Sequence, residues 1–537
     1  GFKVFLGLVL AVAVVGTLYY FNRKGAFDDL KQSNDRGNSY STTPDYTPSS
    51  SGANAQPAKV SNESITGSSN RPLNVMTVPY PGGGPMIWAN NGFNANKNCF
   101  FYNKFGIQIQ IHPYDVSTSV PALISGELDF IINTIDVLPT LLEELKEYEL
   151  KVPMITDVSR GGDQWVVPPE IQSIEDLKGR KVAVSVPSPS YSLGLYGLDY
   201  HGKPLNFVKW SPQLNPEMCR KAMEAGRVDG GALVWSPDHF ALMDNIPGSH
   251  VIYSTTEANQ LIRNVFVCKL ELIEERGEDV FAFIEGWFTA VHELKTNKNA
   301  WSQMCNLLST EFGGIGLPWS AGDWELALGD FYLSTYGDNL RYYGIVPHPG
   351  VPTAQDIYDQ FNDIYTRTGD IRRQAIPWNQ IGDSRFIQKL RSKNWRGEGW
   401  DAEPMTEFAE APPEMKTQQS FAFKPVSVTF ATNSHALDNM AKNVLDRSVV
   451  DPLRKMGGAY CRIEGHTDSD GKWDYNMWLS EQRAFAVRDY LVSSYEFDPN
   501  RFICVGHGPD KPAADNSTSA GKRKNRRTEF HLLSSGN

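Results

Sequence analysis

The 537-residue chain lacks the local signatures of the common hydrolases and nucleotide-binding enzymes. It has no Gly-x-Ser-x-Gly elbow and no His-Glu-x-x-His pair. Gly82-Gly83-Gly84 is not followed by the Lys-Ser/Thr of a phosphate-binding loop. No nucleophile or activated water can be nominated, so no catalytic residue, cofactor or metal site is expected. Cysteine is scarce: the six (Cys99, Cys219, Cys268, Cys305, Cys461 and Cys504) form no C-x-x-C and no metal-ligand spacing. Basic excess is also lacking. The net charge is −11, which excludes a general affinity for nucleic acid. Finally, no Asp, Glu, Lys, Arg or His occurs between Val4 and Phe21.

That uncharged run is just long enough to cross a bilayer as a helix, and Tyr19-Tyr20-Phe21 supplies an aromatic belt at its end. The small-residue stretch Ala11-Val12-Ala13 sits inside the apolar run rather than after it, so an uncleaved anchor is preferred to a signal peptide. Residues 1–24 are therefore read as a transmembrane anchor. Residues 25–70 are rich in Ser, Asn, Thr, Gly and Pro and nearly free of large aliphatics. They cannot bury a core and read as a disordered linker.

From Arg71 strand-like and helix-like segments alternate, beginning with Leu73 to Val78, which predicts an α/β domain with a mostly parallel sheet. Four segments stand in register: Val120-Pro121-Ala122-Leu123 with Ser125-Gly126-Glu127-Leu128-Asp129; Ile174 to Val184; Pro187 to Ser192; and Ala225 to Gly231 with Val234-Trp235-Ser236-Pro237. Together they resemble a type 2 periplasmic solute-binding protein of the nitrate, sulfonate, taurine and thiamine-precursor group. The resemblance implies two lobes over residues 71–400, joined by two hinge strands. Lobe one takes about 71–162 and 255–365, lobe two about 163–254. Ligand would sit at strand C-termini and helix N-termini, where free N–H groups suit a small polar or anionic solute. Gly83, Gly84, Ser119, Thr134, Ser188, Ser190, Tyr191 and Trp235 are the expected contacts. The competing reading of each is a helix cap or a core position. Residues 401–419, with three prolines and five acids, read as a second linker.

The last segment, 420–537, carries Glu464-Gly465-His466-Thr467-Asp468, then Asn476, Leu479, Arg483, and finally Asn525-Arg526-Arg527. A zwitterionic ligand needs one anion and one forked cation close together. Asp468 follows an apolar strand (Tyr460 to Ile463). Arg483 lies on a helix with Leu479, Ala484, Val487 and Leu491 at helical spacing. The pattern resembles the OmpA-like peptidoglycan-binding domain. That resemblance implies a groove for diaminopimelate-containing stem peptide, with Asp468 and Arg483 as its charged pair and Thr467, Asn476, Leu479, Asn525 and Arg526 around them.

The expected protein is thus a single-pass inner-membrane protein with its bulk in the periplasm. It binds peptidoglycan through one domain and a small solute through the other, as a transport or sensing receptor beside a transporter permease. The alternative is a structural or motor component beside a motor-type membrane protein. The absence of an acid in residues 4–21 argues against a proton path in that role.

Overall fold

The computed structural model describes residues 71–534 except 237, 373–374, 397–400, 425, 427 and 429. The expected anchor and the 25–70 linker lie outside the described residues. Among the described residues no helix is long and apolar enough to cross a membrane.

The central region is a mixed α/β pair of lobes. In the first, β1 (Leu73–Thr77) runs parallel to β2 (Ile109–Pro113), with Leu73 opposite Ile109. A parallel bridge from Val75 to Phe130 joins this pair to β3 (Ile131–Thr134). Beyond it, β10 (Arg263–Lys269), β4 (Leu150–Ser159) and β11 (Phe331–Leu333) continue the sheet. The 27-residue helix Leu270–Thr296 packs its apolar stripe on this sheet, setting Trp287 edge-on and Phe283 tilted against Phe266, each with ring centroids 5.3 Å from it. Each such fully buried side chain contributes on the order of 2–3 kcal/mol by area.

The second lobe is a five-stranded sheet of order β7-β6-β8-β5-β9, formed by Asp163–Val167 (β5), Lys181–Ser185 (β6), Lys209–Gln213 (β7), Ala232–Trp235 (β8) and His250–Ser254 (β9). Its helix α1 (Pro189–Tyr200) opens with Pro at its first position, and Ser188 Oγ accepts the Tyr191 N–H as cap. The chain crosses between lobes twice, from β4 to β5 through residues 160–162 and from β9 to β10 through residues 255–262.

The C-terminal sheet has the order β12-β15-β13-β14, from Ala422–Lys424 (β12), Tyr460–Gly465 (β13), Phe502–Gly506 (β14) and Thr528–Leu533 (β15). Helix α2 (Trp473–Tyr495) lays Ala484, Val487 and Leu491 over one face of it, in one cluster with Cys461, Ile463, Phe530 and Leu532. Helix and strand approach so closely that a methyl at Gly465 would overlap the Ser480 carbonyl oxygen. The cysteines at 461 and 504, on neighbouring strands, are both free thiols.

This sheet-and-helix unit is not an appendage. One apolar cluster runs from Tyr196, Tyr200 and Tyr253 of lobe two, through Phe361 and Tyr365, into Leu445, Leu453, Met456 and Cys461. Some of these contacts fall on the 255–262 crossing: Gln260 N–H donates to Lys455 O, and Gly458 N–H donates to Glu257 O; others reach Pro349, where Arg454 Nε donates to the carbonyl. A side chain at Gly458 would collide with the Thr256 carbonyl. Residues 401–419 have little regular structure, yet they too are fastened. Glu403 pairs with Arg160 on the other crossing, its N–H reaches Asp338 Oδ1 at 2.7 Å, and Arg341 bonds its carbonyl at 2.6 Å.

Candidate functional site

At the end of β13 the chain turns outward through His466-Thr467-Asp468. Asp468 is almost buried. Its Oδ2 accepts from Arg526 Nη1 at 2.6 Å, and its Oδ1 accepts the Asp470 N–H at 3.2 Å. The carboxylate is therefore held at the strand end with its charge met by Arg526, which retains some exposure.

Arg483 has a different setting. It is fully buried, and its guanidinium donates to the carbonyls of His466 (2.9 Å), Ser434 (3.0 Å) and Ala431 (3.3 Å) over the face of Phe430. Burial, aided by the charge of Arg526, pulls its pKa down to about 10. It stitches the 431–434 loop to the strand end, and the Asp468 carboxylate lies near enough to act on its charge. Asn525 is also fully buried. Its Oδ1 accepts the N–H groups of Ala513 and Ala514 at 2.8 Å, and its Nδ2 donates to Ala514 O and Asn516 Oδ1. Asn476 Nδ2 donates to Asp470 O at 2.9 Å and fixes the loop after Asp468, while Thr467 and Leu479 are buried beside it. The seven residues thus converge on one place, with Asp468 and Arg526 outermost. Next to the site, in the first two turns of α2, Trp473, Tyr475 and Trp478 are exposed. The sequence reading passed over these three, although they fall off the Leu479–Ala484–Val487–Leu491 stripe.

Behind this site Glu464, His466 and Glu529 could hold a metal ion, since their ligand atoms lie within 4.8 Å of one another. Their charges are already met. Arg462 Nε and His507 Nε2 hold Glu464 at 2.7 and 2.8 Å, and Arg527 Nε holds Glu529 at 2.6 Å. The set is an ion-pair network on the sheet face that residues 408–418 partly cover, where Arg462 also donates to the carbonyls of Met415 and Gln418.

Between the lobes, the strand ends carry carboxylates. Asp163, at the start of β5, accepts from Ser190 Oγ (2.7 Å) and Ser159 Oγ (2.8 Å). Asp157 accepts from Tyr80 Oη (3.0 Å), Thr156 Oγ1 (2.8 Å) and Asn264 Nδ2 (2.7 Å). Asp136 is fully buried just past β3, with the hydroxyls of Ser192 and Thr134 beside it. Burial pushes Asp136 up to about 7 and Asp157 and Asp163 to about 6. Ser236 Oγ of lobe two reaches Asp330 Oδ2 of lobe one at 2.5 Å and spans the gap.

Of the eight expected solute contacts, Thr134 and Ser190 belong to this acidic cluster, and half-buried Trp235 stands opposite Asp163 in the β8–β5 register. The others are used elsewhere. Ser119 Oγ bonds Val116 O within its own helix, Ser188 caps α1, and the Tyr191 hydroxyl bonds Asp370 Oδ2 at 3.1 Å. Gly83 and Gly84 are packing glycines: an added methyl would meet Thr77 Oγ1 and Met304 Sδ at 2.7 Å. The aspartates were missed because Asp is commonplace at strand ends, and burial is invisible in a linear pattern.

Residues 429–526 match the OmpA family. Outer membrane porin F of Pseudomonas aeruginosa is 43% identical over 86 residues, which are 16% of this chain and 25% of that protein. The peptidoglycan-binding protein ArfA of Mycobacterium bovis is 36% identical over 103 residues, 19% of this chain and 31% of that protein. The chain spans a quarter to about half the length of the first such relatives. The central region resembles the periplasmic aliphatic sulphonate binding protein SsuA from Escherichia coli in fold, with a TM-score of 0.46, 17% identity, and coverage of 59% of this chain and 99% of that one. The segment that closes the chain, with Asp468 and Arg526 at its mouth, is an OmpA family domain.

Proposed function

We propose that this chain is a cell-envelope binding protein rather than an enzyme. It is anchored in the inner membrane by the run Val4–Phe21, with its bulk in the periplasm. Its OmpA family domain grips the diaminopimelate-containing stem peptide of peptidoglycan, and its two-lobe domain takes a small polar solute as a transport or sensing receptor. The observation that carries the first part is the strand-end carboxylate of Asp468, ion-paired with the partly exposed Arg526, inside the segment that matches the OmpA family. An incoming ammonium can share Asp468 while Arg526 turns to the ligand's carboxylate, which trades one charge-assisted contact for two.

Two crossing segments between lobes and a polar strand-end cluster support the second part. The acidity of that cluster favours a solute that donates hydrogen bonds, an amine or polyol, over the anion suggested by sequence. A second reading has its own observation: the strand-end side chains bond one another, and Ser236–Asp330 bridges the lobes. This favours a docking or spacer module in a structural or motor assembly.

The experiment is sedimentation of the full chain with purified peptidoglycan. Wild type should pellet, and Asp468→Ala should lose at least tenfold in apparent affinity. Undiminished pelleting of Asp468→Ala would refute the groove. A thermal-shift screen of amines, polyols and sulfonates, with Ser190→Trp as blocked control, separates receptor from spacer.

A further inference from the structure

The chain has 62 aromatic residues (27 Phe, 22 Tyr and 13 Trp). Among the described ones only Trp473, Tyr475 and Trp478 are exposed, at 54, 41 and 48%. All three stand in the first two turns of α2. Tyr475 and Trp478, three residues apart, share one outward face of the helix. Their rings lie 5.6 Å apart and 35° from coplanar, and His435 closes the patch edge-on to Trp478 at 6.2 Å. Exposed large aromatics grouped in this way mark a binding surface.

Their position names the occupant. His435 follows Ser434, whose carbonyl takes Arg483 Nε at 3.0 Å. Tyr475 precedes Asn476, which ties down the Asp468–Asp470 loop. The patch is therefore continuous with the lip of the Asp468 groove. In peptidoglycan the stem peptide hangs from an uncharged sugar backbone of β-1,4-linked N-acetylhexosamines. Beyond the N-terminal end of a groove-bound stem peptide, across the lactyl link, lies a pyranose ring, with a flat C–H face that suits an aromatic surface.

We propose that Tyr475 and Trp478 form a platform on which a sugar of the glycan strand stacks while the stem peptide occupies the Asp468 groove. This rests on the peptidoglycan reading above and adds to it a second ligand class, so the chain reads glycan and peptide together. Trp473 faces elsewhere, its Nε1 donating to Asp510 Oδ1 at 3.0 Å, and is not part of the platform.

The test compares two soluble probes on the full chain by calorimetry: a diaminopimelate tripeptide, and the same tripeptide joined to its N-acetylhexosamine disaccharide. Wild type should bind the disaccharide form about tenfold more tightly. Trp478→Ala should erase that advantage and leave tripeptide affinity within twofold, and Asp468→Ala should abolish both. Equal binding of the two probes by wild type, or an intact advantage in Trp478→Ala, overturns the platform but leaves the groove standing. Failure of both probes on wild type overturns the groove and the platform with it. Self-association that disappears in Trp478→Ala without a change in the probe ratio would assign the patch to a second copy of the chain and overturn the proposal.

Discussion

Asp136→Asn is expected to stabilise the protein at pH 8 and to leave it unchanged near pH 4. The side chain is fully buried beside Thr134 and Ser192, with Asp163 as a second carboxylate close by. Burial raises its pKa from 3.8 to about 7. A carboxyl with a raised folded-state value binds more protons folded than unfolded between about pH 4 and pH 7, so stability falls as pH rises through that window. At 1.36 kcal/mol per pH unit the ceiling is about 4 kcal/mol, reached above pH 7. Asparagine keeps the shape and cannot ionise. It removes this cost where aspartate would be charged and nothing where aspartate would be protonated. For a protein of this size about 4 kcal/mol corresponds to a rise in Tm of about 8 °C or less. Part of the pH slope should survive in the variant, because Asp157 and Asp163 still titrate near 6. The assay is calorimetry of wild type and variant at pH 4, 6 and 8. A Tm difference that is the same at all three values would refute the argument. So would destabilisation at pH 8, which would mean that the ionised carboxylate has a favourable partner in the folded state.

Arg483→Ala and Arg526→Ala should separate scaffold from groove. The first strands three buried carbonyls and should cost about 2–4 kcal/mol of stability, read as a lower urea midpoint. The second strips the nearly buried Asp468 carboxylate of its ion-pair partner, so it should cost about 1–2 kcal/mol, less than the first, and should weaken peptidoglycan sedimentation; the reverse stability ranking would contradict the assignment. Gly465→Ala should lower the urea midpoint by more than about 2 kcal/mol, because its methyl meets the backbone carbonyl of Ser480, which has no side-chain freedom with which to yield.

Periodicity carried much of the domain layout. The stripe Leu479, Ala484, Val487, Leu491 lies where helical spacing puts it, against the strand read from Tyr460 to Ile463. The return of the chain to lobe one near residue 255 was an expectation drawn from the resemblance to two-lobe solute-binding proteins, not from periodicity. The use made of individual side chains was not legible. Arg483 bonds carbonyls at 431, 434 and 466, and nothing local marks those positions as its partners. The triple glycine at 82–84 has the composition of a ligand loop, yet it serves close packing against Thr77 and Met304. Both uses demand a missing side chain, and only the neighbours distinguish them. Prolines and acids gave residues 401–419 the look of a free linker, whereas the arginine that pins Glu403 stands more than two hundred residues earlier.

The seating of the C-terminal domain has a mechanical consequence. It bears on the 255–262 crossing through Lys455 and Gly458, while Glu403 braces the 160–162 crossing through Arg160. These are the two strips of chain about which the lobes would have to pivot. A displacement of the C-terminal domain would therefore be felt first at residues 160–162 and 255–262, so the seat of that domain and the angle between the lobes are geometrically coupled.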